Sequence, residues 1–234
     1  MKMKNKKAEQ IAAKKRHLEG LRKNRRSEPV LEREQPSKLE KPTILIVCEG
    51  QNTEPSYFRQ FKLSSATIKP IGEGYNTVSL VNRALQLANE KKYEQVWCVF
   101  DKDDFADLDF NNAIKIAESN NFGIAYTNQA FEYWIILHFN DHQGGGMSRS
   151  DYHDVLNKHL KEFDTQYDGK TSKLISEEIF ELLEGIDIKT DKIRRNLAIE
   201  RAERNYDLFD HTNCAKEESS TTVFRLVTEL IKYL

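Results

Sequence analysis

The sequence predicts an α/β fold: a mostly parallel sheet flanked by helices, with a helical C-terminal extension. Three observations predict it. Two short apolar runs, 43–48 and 96–100, end directly in acid, at Glu49-Gly50 and at Asp101-Lys102-Asp103-Asp104. Both are rich in β-branched and aromatic residues, which suits buried parallel strands. Strand and helix patterns then alternate as β-α-β-α-β-α-β-α, the order of parallel strands joined by crossover helices. After the break Gln143-Gly144-Gly145-Gly146 the remaining patterns are helical.

The first strand is Thr43 to Cys48. Thr53 is placed to cap a helix from Glu54 to about Lys62, with Pro55 in its first turn and Tyr57, Phe58 and Phe61 on its apolar face. Ala66 to Ile71 reads as a strand. Asn76 to Lys92 is amphipathic, with Val78, Val81, Leu85 and Ala88 on one side. Gln95 to Phe100 is the central strand, Leu108 to Asn120 a helix, Phe122 to Tyr126 a strand, and Ala130 to Phe139 a very apolar helix. Four more helices follow: Ser150 to Phe163, Ser172 to Leu183, Asp191 to Asp207 and Ser220 to Tyr233. This divides the chain into a basic arm and linker at 1–41, an α/β core at 42–140, and a helical part at 141–234 that packs on the core. Pro29, Pro36 and Pro42 among charges mark the linker. Helix formers from Ala8 to Leu21 allow local helix in the arm.

The chain has 234 residues, of which 31% are charged and 38% hydrophobic. That is enough for one good core, with much of the charge on tails and helix surfaces. The net charge of −1 hides an asymmetry: residues 1–26 hold 11 Lys/Arg against 2 Glu, and the rest 25 Lys/Arg against 35 Asp/Glu. A basic arm ahead of an acidic body suits contact with a polyanion, and equally a solvated tail. No apolar run approaches the roughly 18–20 residues of a membrane span. The basic N-terminus has no apolar segment of the secretory kind. The three cysteines, Cys48, Cys98 and Cys214, make no C-x-x-C pair. A reduced, cytoplasmic setting is expected.

The acids carry the chemistry. In an open parallel sheet, side chains just past the carboxyl ends of the strands line the ligand crevice. Glu49 and the pair Asp101 and Asp103 are expected there together, with Gly50 permitting a tight turn. If the strand continues through Asp103, both aspartates face one way and share one cation, while Lys102 faces the other. Oxygen-rich sites of this kind suit Mg²⁺ or Mn²⁺. Glu132 opens a greasy helix at the same sheet edge, either serving the site or favoured there by the helix dipole. His138 and His142 are spaced i, i+4, but no third zinc ligand or H-E-x-x-H accompanies them. Gly72-Glu73-Gly74 reads as a simple turn before a helix. Lys170, Lys173, Arg194, Arg195 and Arg201 are candidates for phosphate-backbone contact. Solvated intrahelical pairing is the plainer alternative for the arginines.

Three stretches together resemble the RloB-like family, which includes the second component of the AbiL (AbiLii-type) phage abortive-infection system. They are Cys48-Glu49-Gly50-x-x-Thr53-Glu54-x-x-Tyr57-Phe58, Asp101-x-Asp103-Asp104-Phe105, and Phe131-Glu132-Tyr133-Trp134 through Phe139; Ser219-Ser220-Thr221-Thr222 adds a Ser-Thr signature. The resemblance implies a TOPRIM-like, Rossmann-like domain. Its glutamate would be Glu49, acting as general acid or base or as a metal ligand, and its aspartates Asp101 and Asp103 would hold Mg²⁺. One departure is Thr127-Asn128-Gln129-Ala130, where Ser-Asn-Pro-Cys-like residues are expected before the Phe-Glu. The resemblance also implies an AAA or ABC-type ATPase partner and a toxin that attacks RNA, including transfer RNA, or DNA.

The function expected is therefore metal-dependent phosphodiester hydrolysis in phage defence. One rival is a phosphatase or nucleotidyl transferase on a similar sheet. The other is a non-catalytic subunit that docks on an ATPase. A homo-oligomer is compatible with the sequence.

Overall fold

The computed structural model describes residues 12–16, 18–19, 41–71, 77–143 and 145–234. The chain divides into two compact units, 1–39 and 40–234. In the first, the described backbone at 12–16 and 18–19 is helical. The rest of the basic arm, the linker prolines Pro29 and Pro36, the Gly72-Glu73-Gly74 turn, Asn76 and Gly144 lie outside the described residues.

The second unit is built on a five-stranded sheet. Its strands are β1 (Ile44–Cys48), β2 (Ala66–Pro70), β3 (Gln95–Asp101), β4 (Gly123–Asn128) and β7 (Ser220–Thr221), in the order β2-β1-β3-β4-β7. The first four are parallel, and β7 pairs antiparallel with β4. The helices are α1 (Thr53–Arg59), α2 (Thr77–Glu90), α3 (Asp107–Ser119), α4 (Glu132–Ile136), α5 (Arg149–Leu160), α6 (Glu177–Glu184), α7 (Arg194–Tyr206) and α8 (Val223–Ile231). A small hairpin, β5 (Ile186–Asp187) with β6 (Lys192–Ile193), joins α6 to α7.

Side chains alternate across the sheet, and each face has its own core. Leu45, Val47, Cys98 and Phe100 meet α2 and α3 through Leu80, Val81, Phe110 and Ala113. Ile44, Ile46, Cys48 and Val99 meet α1 and the helices from α4 onward, through Tyr57, Phe58, Trp134, Leu156, Ile179 and Val227. The strand order reverses direction between β1 and β3, the position where an open sheet leaves a crevice at its carboxyl edge.

Several expectations change. Thr53 is inside α1; Asn52 holds the cap position and no side chain caps it. The helix expected at Ala130–Phe139 shortens to α4, and the one expected at Ser172–Leu183 begins at Glu177, capped by Ser176. The C-terminal part is not all helix. Ser220 and Thr221 extend the sheet instead of opening α8, because the Thr221 and Thr222 hydroxyls bond the β4 backbone at Tyr126 O (2.8 Å) and Ile124 O (3.1 Å). Among the described residues no helix is long and apolar enough to cross a membrane.

Candidate active site

The crevice holds a cleft of about 470 Å³ lined by Glu49, Glu54, Asp101, Asp103 and Glu132, with Arg149, Lys170 and Lys173 also on its walls. Glu49 is fixed by the sheet: its N–H continues the parallel ladder to Val99 O at 2.9 Å. Gly50 then turns the chain, and a Cβ there would overlap the Glu54 carboxylate, so glycine is what lets Glu54 reach the cleft. Glu54 lies in the first turn of α1 and is 6% exposed.

Asp101 is the last residue of β3. Its N–H donates to Glu49 Oε2 at 3.4 Å, and its own Oδ2 accepts from Phe131 N–H at 3.1 Å and from Arg149 Nη2 at 2.8 Å. The strand does not continue to Asp103. Lys102 and Asp103 instead donate their N–H groups to Thr127 O and Gln129 O, at 2.9 and 3.0 Å. Asp103 takes φ 42°, the left-handed region, and this turn, not strand alternation, aims it at the cleft. Arg149 Nη2 lies 3.3 Å from its Oδ2. Lys102 is folded away, with Nζ donating to Phe105 O at 2.5 Å and pairing with Asp107 at 3.3 Å.

Glu132 is buried at the start of α4, where Tyr167 Oη donates to its Oε1 at 3.2 Å. Tyr167 Oη also lies 3.0 Å from Thr53 Oγ1, so the glutamate is oriented by a chain of hydroxyls. Lys170 and Lys173 are held at the cleft by a loop that Asp168 organises. Its carboxylate accepts from the N–H groups of Lys170, Thr171 and Ser172 at 3.1, 3.0 and 3.1 Å, and from the Thr171 hydroxyl. Those bonds, the hydroxyl's first, hold the Asp168 carboxyl well below the usual range.

Crowding acids in this space alters them. Burial, and then the nearby Glu54 and Asp103 carboxylates, push Glu49 up to about 8, against the pull of the Asp101 N–H and Arg149. Burial likewise raises Asp101 well above the ordinary range, with Glu54 adding to it and Arg149 opposing. Burial, with Glu132 as the repelling charge, raises Glu54; its own backbone N–H, Arg149 and Lys173 oppose. Burial works against the charge on Arg149, yet Asp101, Glu132, Asp103 and Glu54 together hold its pKa above the ordinary value.

The carboxylates suit a hard divalent cation by donor chemistry. One cationic nitrogen already reaches Asp101 and Asp103 together, so a single positive centre fits between them. Glu49 adjoins through the Asp101 N–H. Among the described residues no three His, Cys, Asp or Glu side chains converge as a ready-made metal site.

The structure brings Glu49, Asp101, Asp103, Glu132, Lys170 and Lys173 into one cleft. It gives the three candidate arginines of α7 other contacts. Arg194 is 6% exposed; its Nη1 donates to Leu182 O at 2.8 Å and its guanidinium lies 4.8 Å from the Phe163 ring centre. Arg195 pairs with Glu184, and Arg201 Nη1 donates to Leu137 O at 2.7 Å. These guanidiniums tie α7 to α6 and α4, and the expected nucleic-acid contact is corrected for Arg194, which has no surface to offer. His138 is buried with Nδ1 3.0 Å from Trp134 O, and burial pushes it down to about 3. α4 ends before His142, so the two histidines do not share a helix face. Sequence reasoning missed Arg149 and gave Glu54 no role. A signal for Arg149 was present: the Ser148–Asp151 capping box starts a helix at Arg149, and a cation in a first turn opposes the helix dipole.

No curated protein and no solved structure matches the chain. A family model described as RloB-like protein matches residues 44–230 and so takes in every wall of the acidic cleft. The chain belongs to the RloB-like family.

Proposed function

We propose that this protein is a metal-dependent endonuclease with a TOPRIM-like site, the effector of an anti-phage abortive-infection system of the AbiLii type. The observation that carries the reading is that Asp101 and Asp103 meet one cationic point at the carboxyl edge of β1 and β3, with Glu49 on the same cleft beside Lys170 and Lys173. Asp101, Asp103 and Glu49 would hold Mg²⁺ or Mn²⁺, which would supply Lewis-acid polarisation of a phosphodiester. Glu49, as general acid or base, would help move a proton. Glu132, oriented by Tyr167, would contribute a further carboxylate to the catalytic site. Lys170 and Lys173 receive the negative phosphate backbone of RNA, including transfer RNA, or of DNA. The setting is the cytoplasm, where the free thiols Cys48, Cys98 and Cys214 stay reduced. The partner is an AAA or ABC-type ATPase that holds the nuclease silent.

The test is to express the full chain alone and with the neighbouring ATPase, then compare total RNA and DNA. Cleavage in Mg²⁺ or Mn²⁺ should fall at least about 100-fold in Asp101→Ala and in Glu49→Ala. Variants that cut like the wild type overturn the reading. Stable co-purification with the ATPase and no cleavage in any divalent metal would make the chain a regulatory subunit instead.

A further inference from the structure

The guanidinium of Arg149 stands where the metal-site reading puts a cation, and this inference rests on that reading. Its Nη2 is 2.8 Å from Asp101 Oδ2 and 3.3 Å from Asp103 Oδ2. A divalent cation brought to those carboxylates is repelled by the guanidinium at such range. Three further observations mark Arg149 as held by charge and not by the fold. It occupies the first position of α5, where the helix dipole repels a cation. Its Nε is buried without a hydrogen-bond partner, so one of its five N–H donors is unused. The acids lining the cleft nevertheless do not converge as a metal site among the described residues.

We infer that Arg149 is a resident counter-ion that a divalent cation must displace from Asp101 and Asp103. In the resting protein the guanidinium offsets the repulsion between buried carboxylates. It also sets the metal affinity, because the binding-competent arrangement requires it to leave. A competing state of this kind weakens apparent affinity by the fraction of molecules in which the ligands are free. Arg149 is thus a positioning residue for the metal, acting on Asp101 and Asp103 through an ion pair.

The test is Mn²⁺ titration of the full chain by calorimetry, without nucleic acid, for wild type, Arg149→Met and Arg149→Met/Asp101→Asn. Arg149→Met should bind Mn²⁺ at least about tenfold more tightly than wild type, and the double variant should lose that gain. Equal or weaker binding by Arg149→Met, with wild type still binding, overturns the counter-ion role and leaves the metal site standing. No binding by any variant overturns both. Should Arg149→Met fail to fold, the wild type decides. Its Arg149 Nε–H nuclear magnetic resonance signal, assigned by its loss in Arg149→Lys, should move as Mg²⁺ raises the melting temperature. A signal that stays put while Mg²⁺ stabilises the protein overturns the inference.

Discussion

On α7, buried and half-buried guanidiniums meet partners inside the fold. Arg194 has the Leu182 carbonyl and the Phe163 ring, Arg195 has Glu184, and Arg201 has the Leu137 carbonyl. At the cleft, charge is also taken out of water, but five carboxylates of one sign are gathered around it and Arg149 bridges two of them. The first arrangement gives each guanidinium a carbonyl, a ring or one carboxylate and fixes helices together. The second leaves like charges in contact, and the fold bears their repulsion. Buried charge with complementary partners is structural; buried charge of one sign, assembled at a strand edge from four segments of chain, is poised for a ligand.

The comparison is tested most strongly by pH. Glu49 is raised to about 8 from an ordinary 4.5, so the folded protein keeps a proton that the unfolded chain has released. Its stabilising contribution is complete below pH 4.5 and drains away as pH rises through about 8; the raised Asp101 and Glu54 act in the same direction. Each pH unit of such mismatch is worth about 1.4 kcal/mol. After discounting Glu49 for partial solvent screening, its own part of the loss is expected to be about 3 kcal/mol between pH 5 and 9 in chelator. Urea unfolding across that range should show the loss in wild type and a flatter profile in Glu49→Gln. Parallel profiles would mean that Glu49 is not raised by its burial in the cleft.

Next in size is the α7 side. Arg194→Ala removes a charged hydrogen bond to the Leu182 carbonyl, which keeps only the Gly185 N–H at 3.2 Å, and removes the cation from the Phe163 ring, an expected loss of about 2 kcal/mol. Chemical denaturation measures it. A change within about 0.5 kcal/mol would place Arg194 with ordinary surface residues and break the contrast.

How much of this was legible beforehand follows from where each residue gets its position. Glu49 and Asp101 were readable because each directly follows or ends an apolar strand, and strand ends in an α/β sheet share an edge. Asp103 was readable as a residue but not as a geometry, since a left-handed turn aims it. Arg149 reaches Asp101 from 48 residues further along, after the glycine break, and periodicity within one segment carries no such information. The arginine spacing on α7 marked a helix face truly, yet spacing does not say whether aromatic rings cover that face, as Phe139 and Phe163 do for Arg194. Strand β7 is two residues long, too short for any alternation to show, and is held by threonine hydroxyls that look the same in a helix cap.

The smallest effect expected is also the one that separates the two regions by sign. Substitution of a buried charged residue normally destabilises, as it should for Arg194. Glu54 is equally buried, but its nearest carboxylate neighbour in the energetics is Glu132 and it has no ion pair of its own among the described residues. Glu54→Gln keeps the shape and removes one of the repelling charges. At pH 9, where the wild-type carboxyl is driven toward its charged form, this should stabilise the metal-free protein by about 1 kcal/mol. In saturating Mg²⁺ the gain should shrink, because a bound cation relieves the same repulsion. A loss of stability in chelator would show that Glu54 is satisfied by the fold, and the cleft would then resemble α7 more than it differs from it.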